Sequence, residues 1–246
     1  MEHSVGEPLG FQNVPRGTFE PPSEVIPDAP AGPLELLRRG LAELGLAPDE
    51  AVIEGLSGLA ELVAGWTHRV DLTAHGTPEA VVRHLVLDAL ALDAALPDVP
   101  SLVDLGSGAG FPGLPLALLH PSREVVLIEA RERRHHFLRM AVRSLGIGNV
   151  VALRGRAERL TPRRTAAVVA QAVGAPEVVL GWMARWALPG GLLALPQARR
   201  AGFLASPPGV EPLGWQDYRV PLGGPERLLW LGRRVEDAPE DSTETS

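Results

Sequence analysis

Residues 101–113, Ser-Leu-Val-Asp104-Leu-Gly106-Ser-Gly108-Ala-Gly110-Phe-Pro112-Gly113, constrain this chain more than any other stretch. An apolar run that breaks into alternating glycines reads as a buried strand turning over the carboxyl edge of a parallel sheet. Glycine is needed there where the backbone bends sharply and where a ligand comes into van der Waals contact with it. Pro112 falls where a helix begins, a place at which its fixed φ and missing N–H cost nothing. The next apolar run, Glu124 to Ile128, ends in Glu129, an acid placed to accept hydrogen bonds from ribose hydroxyls. Strand, glycine loop, helix, strand and acid together predict a site for an adenosine-containing ligand.

The alternation continues downstream. Strands are predicted at 101–105, 124–128, 149–153, 166–170 and 191–195, with helices near 112–119, 131–145 and 176–188. This pattern implies right-handed βαβ crossovers and an α/β fold, a doubly wound, mostly parallel sheet covered on both faces. Two last runs, Trp215 to Val220 and Arg227 to Gly232, flank Gly223-Gly224-Pro225 and predict an antiparallel pair at the end of the sheet. Ahead of the strands, 33–96 predicts three amphipathic helices, the second from Asp49 through Trp66 and the third from Pro78 through Leu96. Thr77-Pro78 supplies a cap and an N1 proline for the third. The expected organisation is a proline-rich disordered tail at 1–32, a helical N-terminal extension at 33–97, the main α/β domain at 98–234, and an acidic disordered tail at 235–246.

Charge is informative only once it is divided along the chain. The net charge of −7 is concentrated in the two tails, with one Arg against five acids in 1–30 and five acids without a base in 235–246. The remainder is slightly basic. Within it, 131–164 carries ten arginines against Glu132 and Glu158. Such a block beside a ligand site is the footprint expected of a phosphate-rich partner, against the plainer reading of a solvated helix face in a chain without lysine. No hydrophobic run is long enough for a bilayer span and no leader is evident, so a cytoplasmic protein without membrane contact is expected. The absence of cysteine excludes disulfides and thiolate catalysis. No histidine spacing suggests a metal.

The glycines alone leave the ligand open, since Gly108, Gly110 and Gly113 also satisfy the dinucleotide pattern of an NAD(P)-dependent oxidoreductase. Asp104 tips the balance. Asp-Leu-Gly-x-Gly-x-Gly resembles the first motif of class I (Rossmann-like) methyltransferases, in which the carboxylate lies near the methionine part of S-adenosylmethionine. A pyrophosphate would be repelled by it. Three further stretches narrow the resemblance. Trp66-Thr-His-Arg-Val-Asp-Leu-Thr73, Val82-Arg-His-Leu-Val-Leu-Asp88 and Gly155-Arg-Ala-Glu158, read with Gly-Ala-Gly-Phe-Pro-Gly-Leu-Pro, are similar to the RsmG (GidB) family of bacterial ribosomal RNA methyltransferases over roughly 34–233.

That resemblance implies methyl transfer from S-adenosylmethionine to N7 of a guanine in 16S ribosomal RNA. The partner would be the free RNA or a partly assembled small ribosomal subunit, bound by a monomer. By position the family's cofactor contacts fall on Gly106, Phe111, Ala157 and Glu158, with Glu129 as the ribose acid and Asp104, Gly108, Gly110 and Gln171 completing the expected cofactor set. The plainer reading of Glu158 is a surface ion pair with Arg154 or Arg159. Arg227 is the candidate substrate-positioning cation, with Arg199 and Arg200 as substitutes for a missing lysine. His84 and Asp88, four apart on a helix, are expected to pair with each other and hold the helical extension in place, against the alternative of direct RNA contact. Trp66 is expected to be a buried anchor rather than a base-stacking platform.

The chain also departs from the family pattern. Gln171-Ala172 stands where Arg-Ala is usual, Pro196-Gln197 where Lys-Gly is usual, and Leu228 replaces a His after Glu226-Arg227. Thr67 and Asp71 replace Asn, and Ala89 replaces Ser. Loss of two cations beside the site raises the alternative of a degenerate member that binds without efficient methyl transfer.

Overall fold

The computed structural model describes residues 32–198 and 204–235. Its centre is a seven-stranded sheet of β1 (Ser101–Leu105), β2 (Glu124–Glu129), β3 (Val150–Arg154), β4 (Thr165–Ala170), β5 (Ala187–Gln197), β6 (Val210–Arg219) and β7 (Glu226–Arg234), in the order β3-β2-β1-β4-β5-β7-β6. The first five strands run parallel, and β7 inserts antiparallel between β5 and β6. The expected parallel sheet and terminal antiparallel pair are therefore both present.

The apolar runs alternate in where they point. Leu102, Val125, Leu127, Ala167, Val169, Leu192 and Ala194 enter one core, whereas Val103, Leu105, Val126, Ile128, Val168, Ala170, Leu193 and Leu195 enter the other. Side chains in a strand alternate faces, so a strand covered on both sides must be apolar throughout. The second core is closed by α7 (Pro176–Trp186), which buries Val179, Leu180, Met183 and Trp186. The first is closed by α5 (Gly113–Leu119), α6 (Glu132–Ser144) and the helices that precede the sheet.

Those preceding helices are α1 (Pro33–Glu43), α2 (Glu50–Val70), α3 (Pro78–Val81) and α4 (Leu87–Ala94), the last two joined by a π-turn over Val82–Val86. Thr77 caps α3 as expected, its hydroxyl accepting from Ala80 N–H at 3.2 Å. The second helix runs a turn past Trp66 and stops at Asp71, whose φ of 53° is left-handed. Trp66 is half-buried, tilted against Phe137 of α6 at 5.9 Å between ring centres. Nearby, buried Asp93 accepts from Arg123 Nη1 at 2.5 Å and lies 2.6 Å from the His120 ring, tying α4 to the start of β2. Removing one partner of such a buried pair costs more than the pair itself contributes, so it works chiefly as a register lock.

Three boundaries differ from expectation. The first is that α7 ends at Trp186, where Arg234 Nη1 donates to the Ala184 and Ala187 carbonyls at 2.7 and 3.1 Å and so satisfies the helix end. The others are that β5 starts directly afterwards, and that β6 begins at Val210, earlier than its aromatic run suggested. The expected tails at 1–32 and 235–246 lie almost wholly outside the described residues, as do Arg199 and Arg200. Among the described residues no helix is long and apolar enough to cross a membrane.

The chain winds from β1 outward to β3, then returns to β4 on the other side of β1. Ligands of open α/β sheets bind at this reversal, beyond the carboxyl ends of the strands. Here that places the loops after β1 and β4 side by side.

Candidate functional site

The loop after β1 is fastened before it reaches any ligand. Gly106 and Ser107 N–H both donate to the Ile128 carbonyl, at 2.8 and 3.0 Å. The loop then closes on itself through Gly110 and Phe111 N–H to the Ser107 carbonyl. Gly106 and Gly108 have φ of 78° and 56°, left-handed values that other residues rarely adopt. A Cβ on Gly106 would also meet the Val173 side chain at 2.7 Å. Gly110 serves packing instead, since its missing Cβ leaves room for Leu114 and Leu138, and it lines none of the site's clefts.

Two carboxyl groups control this loop. Glu129 is buried, and its Oε2 accepts from Gly108 N–H at 2.9 Å while Oε1 accepts from Arg131 N–H at 2.6 Å. Each oxygen retains a lone pair, and Glu129 still lines a cleft. Asp104 is fully buried beneath the loop, where Oδ2 accepts from Gly113 N–H at 3.1 Å and Oδ1 has no partner. Burial pushes its carboxyl up to about 7, against the Gly113 hydrogen bond and the adjacent Ser107 hydroxyl, which itself donates to the Asp104 main-chain carbonyl at 2.9 Å, and the nearby Glu129 charge pushes the same way as burial. Asp104 is absent from the walls of the clefts, so its direct structural effect is on the loop.

Around this loop the sheet edge opens into connected clefts. The first, about 350 Å³, is lined by Gly106, Glu129, Arg134, Ala157, Glu158 and Val173 among others. The loop after β3 is seated there by Trp186 Nε1–H to the Ala157 carbonyl at 3.1 Å and by Arg185 Nη1 to the Glu158 carbonyl at 2.6 Å. The nearest cation to the Glu158 carboxylate is Arg156 at 3.9 Å, whereas Arg154 instead bonds Glu132 at 2.9 Å. Neither arginine expected to pair with Glu158 does so, because β3 directs Arg154 toward α6.

The second cleft, about 420 Å³, lies on the other side of Gly106 and shares Gly106, Arg134 and Ala172 with the first. Phe111, Gln171, His75, His84, Asp88 and Arg227 also line it. A third cleft of about 370 Å³ continues it past Gln171 and Arg227 to Pro196 and Gln197. Ala172 holds a φ of 54° where the three meet, a strained value for alanine.

Arg227 does not project as a lone cation. Its Nε and Nη2 donate to Asp88 Oδ2 at 3.3 and 3.1 Å, and Tyr218 Oη donates to Asp88 Oδ1 at 3.1 Å. Burial first, and then the Asp88 charge and hydrogen bond, push the Tyr218 phenol upward, so it stays a donor. The expected His84–Asp88 pair is therefore not formed. His84 lies on the π-turn and Asp88 on the first turn of α4, and the Asp88 carboxylate is taken up by Arg227 and Tyr218. His84 stacks instead on His75, with ring centres 4.6 Å apart and planes within 16°. Asp88 still anchors the helical segment, but to β6 and β7.

Sequence reasoning missed Tyr218, His75 and Ala172. Tyr218 is the one tyrosine in the chain, a signal that was available. His75 and Ala172 gave none, since their placement depends on a loop and a backbone angle. Among the described residues no group of three or more His, Asp or Glu side chains is placed to hold a metal.

Residues 52–201 match the family model described as GidB, rRNA small subunit methyltransferase G. The chain belongs to this family. A relative from Chromohalobacter salexigens, named ribosomal RNA small subunit methyltransferase G, is 36% identical over 201 residues, 81% of this chain and 96% of that protein. One of the same name from Neisseria meningitidis is 32% identical over 160 residues, 65% of this chain and 77% of that protein. Among solved structures the chain is similar to a SAM-dependent methyltransferase from Aquifex aeolicus, with 17% identity, a TM-score of 0.46, and coverage of 63% of this chain and 93% of that one. In the family's terms the match spans the glycine loop, the Glu129 strand end, Ala157-Glu158 and Gln171, and ends before β6 and β7.

Proposed function

We propose that the chain transfers a methyl group from S-adenosylmethionine to N7 of a guanine in 16S ribosomal RNA, with the donor in the Glu129 cleft and the guanine in the Arg227 cleft. The observation that carries this reading is the pair of clefts meeting at Gly106, Arg134 and Ala172. Two ligands seated there would face each other across bare backbone.

The residues present fit the donor. Gly106 leaves a cradle that a side chain would strain and fill, Gly108 lines the Arg227 cleft beside it, and Glu129 keeps lone pairs for ribose hydroxyls after holding the loop. Ala157 gives a small apolar wall for an adenine, Glu158 a polar edge, and Phe111 an apolar wall on the guanine side. Asp104 acts as a positioning residue that fixes the loop through Gly113. When bound, adenosylmethionine supplies an electrophilic methyl group. Guanine N7 has an in-plane lone pair and no proton, so no general base is required, and catalysis consists of alignment and electrostatics.

Arg227 suits that role because Asp88 balances it. N7 methylation delivers positive charge to the guanine, and an uncompensated cation beside it would oppose the reaction. With Nε and Nη2 bound to Asp88, the guanidinium is oriented and largely neutralised while Nη1 stays available. N7 lies in the major groove, which is too deep and narrow to reach in intact A-form RNA, so the target base is unpaired or extruded.

Gln171 supports a second reading, weakened transfer, since it lines the Arg227 cleft and the cleft toward Gln197 without charge, though it does not line the Glu129 cleft. Incubating the protein with adenosylmethionine and either deproteinised 16S RNA or small subunits, followed by nucleoside mass spectrometry, separates the readings. Formation of 7-methylguanosine in repeated turnovers supports the enzyme. Cofactor binding without product supports the degenerate member.

A further inference from the structure

We propose that His84, backed by His75, is the stacking platform for the extruded guanine. This rests on the assignment of the Arg227 cleft to the RNA base.

The geometry is that of a stiffened ring at the cleft wall. His84 is exposed, lines the cleft, and has one face covered by the nearly parallel His75 ring. His75 is itself half-buried in a short segment that is pinned from several directions. Its own N–H donates to Thr73 Oγ1 at 3.3 Å, Arg134 Nη2 of α6 donates to the Asp71 carbonyl at 3.0 Å, and His68 of α2 lies against Gly76. His84 sits on the π-turn, where its ring meets His75, while Asp88 on α4 lines the same cleft. A planar side chain held in this way gives a base a flat surface without having to be ordered on binding. Stacking between side chains is how extruded bases are commonly gripped.

The surroundings of the pair favour a neutral His75 ring. Arg83 on the π-turn, Arg134 on α6 and Arg227 on β7 line the same cleft, and of the acids only Asp88 does, already engaged by Arg227 and Tyr218. Burial, and then the neighbouring His84, lower the affinity of His75 for a proton. Two imidazolium rings at this spacing would repel, and a charged ring would also repel the cationic 7-methylguanine that the reaction forms. A neutral π-face attracts it instead. The acid limb of the rate profile should therefore follow protonation of His75, because guanine N7 itself is protonated only at far lower pH.

The test compares His84→Ala, His84→Phe and His84→Gln with the parent, using calorimetry for adenosylmethionine and single-turnover methylation of 16S RNA across about pH 5 to 9, the range in which histidine titrates. His84→Ala should lose about 10- to 100-fold in methylation at limiting RNA, with cofactor affinity unchanged within about twofold. His84→Phe should recover most of that loss and move the acid limb to higher pH, since the neighbouring imidazole no longer lowers His75. His84→Gln, polar but without an aromatic face, should resemble alanine. The proposal is overturned if alanine is as active as the parent, if glutamine rescues as well as phenylalanine, or if the acid limb persists unchanged in the phenylalanine variant. If the parent itself forms no 7-methylguanosine, the functional reading has failed and not the platform alone.

Discussion

The Glu129 cleft and the Arg227 cleft share Gly106, Arg134 and Ala172 but are assembled in different ways. The first is made almost entirely from loops that follow consecutive parallel strands, so its chemistry is written in short local stretches: a glycine loop, an acid closing the next strand, an Ala-Glu pair after the third. The second gathers residues from a π-turn, from a loop between two helices, and from β7 at the far end of the chain. Strand ends bring the residues of the Glu129 cleft together by fold alone. The Arg227 cleft depends instead on long-range hydrogen bonds, above all those converging on Asp88. An α/β scaffold can thus carry one ligand in a fixed way while the other is recognised by whatever the chain adds to it.

The largest expected effect breaks the first cleft alone. Glu129→Ala removes a buried acceptor of two backbone N–H groups, each such charge-assisted bond being worth about 1.5 to 3 kcal/mol. Adenosylmethionine affinity should fall by about 100-fold or more by calorimetry. Retention of affinity would mean the loop is held without Glu129.

Next in size is Asp88→Ala, which strips Arg227 and Tyr218 of their shared acceptor. With Arg227 partly solvated, stability should drop by about 2 kcal/mol in urea unfolding, and RNA methylation about tenfold, at unchanged cofactor affinity. A parallel loss of cofactor affinity would erase the distinction between the clefts.

Asp104 offers a pH-dependent probe of the loop they share. Its carboxyl titrates near 7 in the folded protein against an ordinary value of 3.8, so between these values the unfolded chain releases a proton that the folded chain keeps. The folded state therefore loses stability as pH rises from about 4 to about 7, by up to about 4 kcal/mol, and the penalty stays constant above that. Asp104→Asn should flatten this slope, checked by unfolding at about pH 4.5 and about pH 7.5. An unchanged slope would assign the titration elsewhere.

The smallest effect concerns the arginine block. Arg154, Arg156 and Arg163 are within ion-pair distance of Glu132, Glu158 and Glu124, and Arg134 braces the loop at Asp71. Arg139 and Arg143 lie exposed along one face of α6 with His136 and make no ion pair among the described residues. If they meet phosphates, Arg139→Ala with Arg143→Ala should flatten the slope of log affinity against log salt by about one to two units, without altering single-turnover rates. A steady slope would return them to the solvated-face reading.

Much of the fold was legible because each core strand is apolar on both faces, so Val125 to Ile128 or Ala167 to Ala170 need no context to be read. The Glu129 cleft was legible for the related reason that its residues follow directly on those strands. Asp104, expected beside the cofactor, lies instead beneath the loop, since nothing in its spacing reveals that Gly113 N–H claims it from below. His84 and Asp88 show where the reading fails: four-residue spacing permits a local pair, but Asp88 is claimed by Arg227 and Tyr218 from distant strands and His84 stacks on His75 of the preceding loop. The Asp88–Tyr218 bond, 130 residues apart in sequence, is a consequence of sheet order.

The central claim is that methyl donor and guanine occupy opposite sides of Gly106. Arg227→Ala tests it most directly, with adenosylmethionine affinity measured by calorimetry and 7-methylguanosine by mass spectrometry after a single turnover on 16S RNA. Product formation should fall by about 10- to 100-fold, the loss of one charged contact, while the cofactor dissociation constant stays within about twofold. If cofactor affinity instead falls as far as product formation, Arg227 belongs to the donor site and the division of the clefts is wrong.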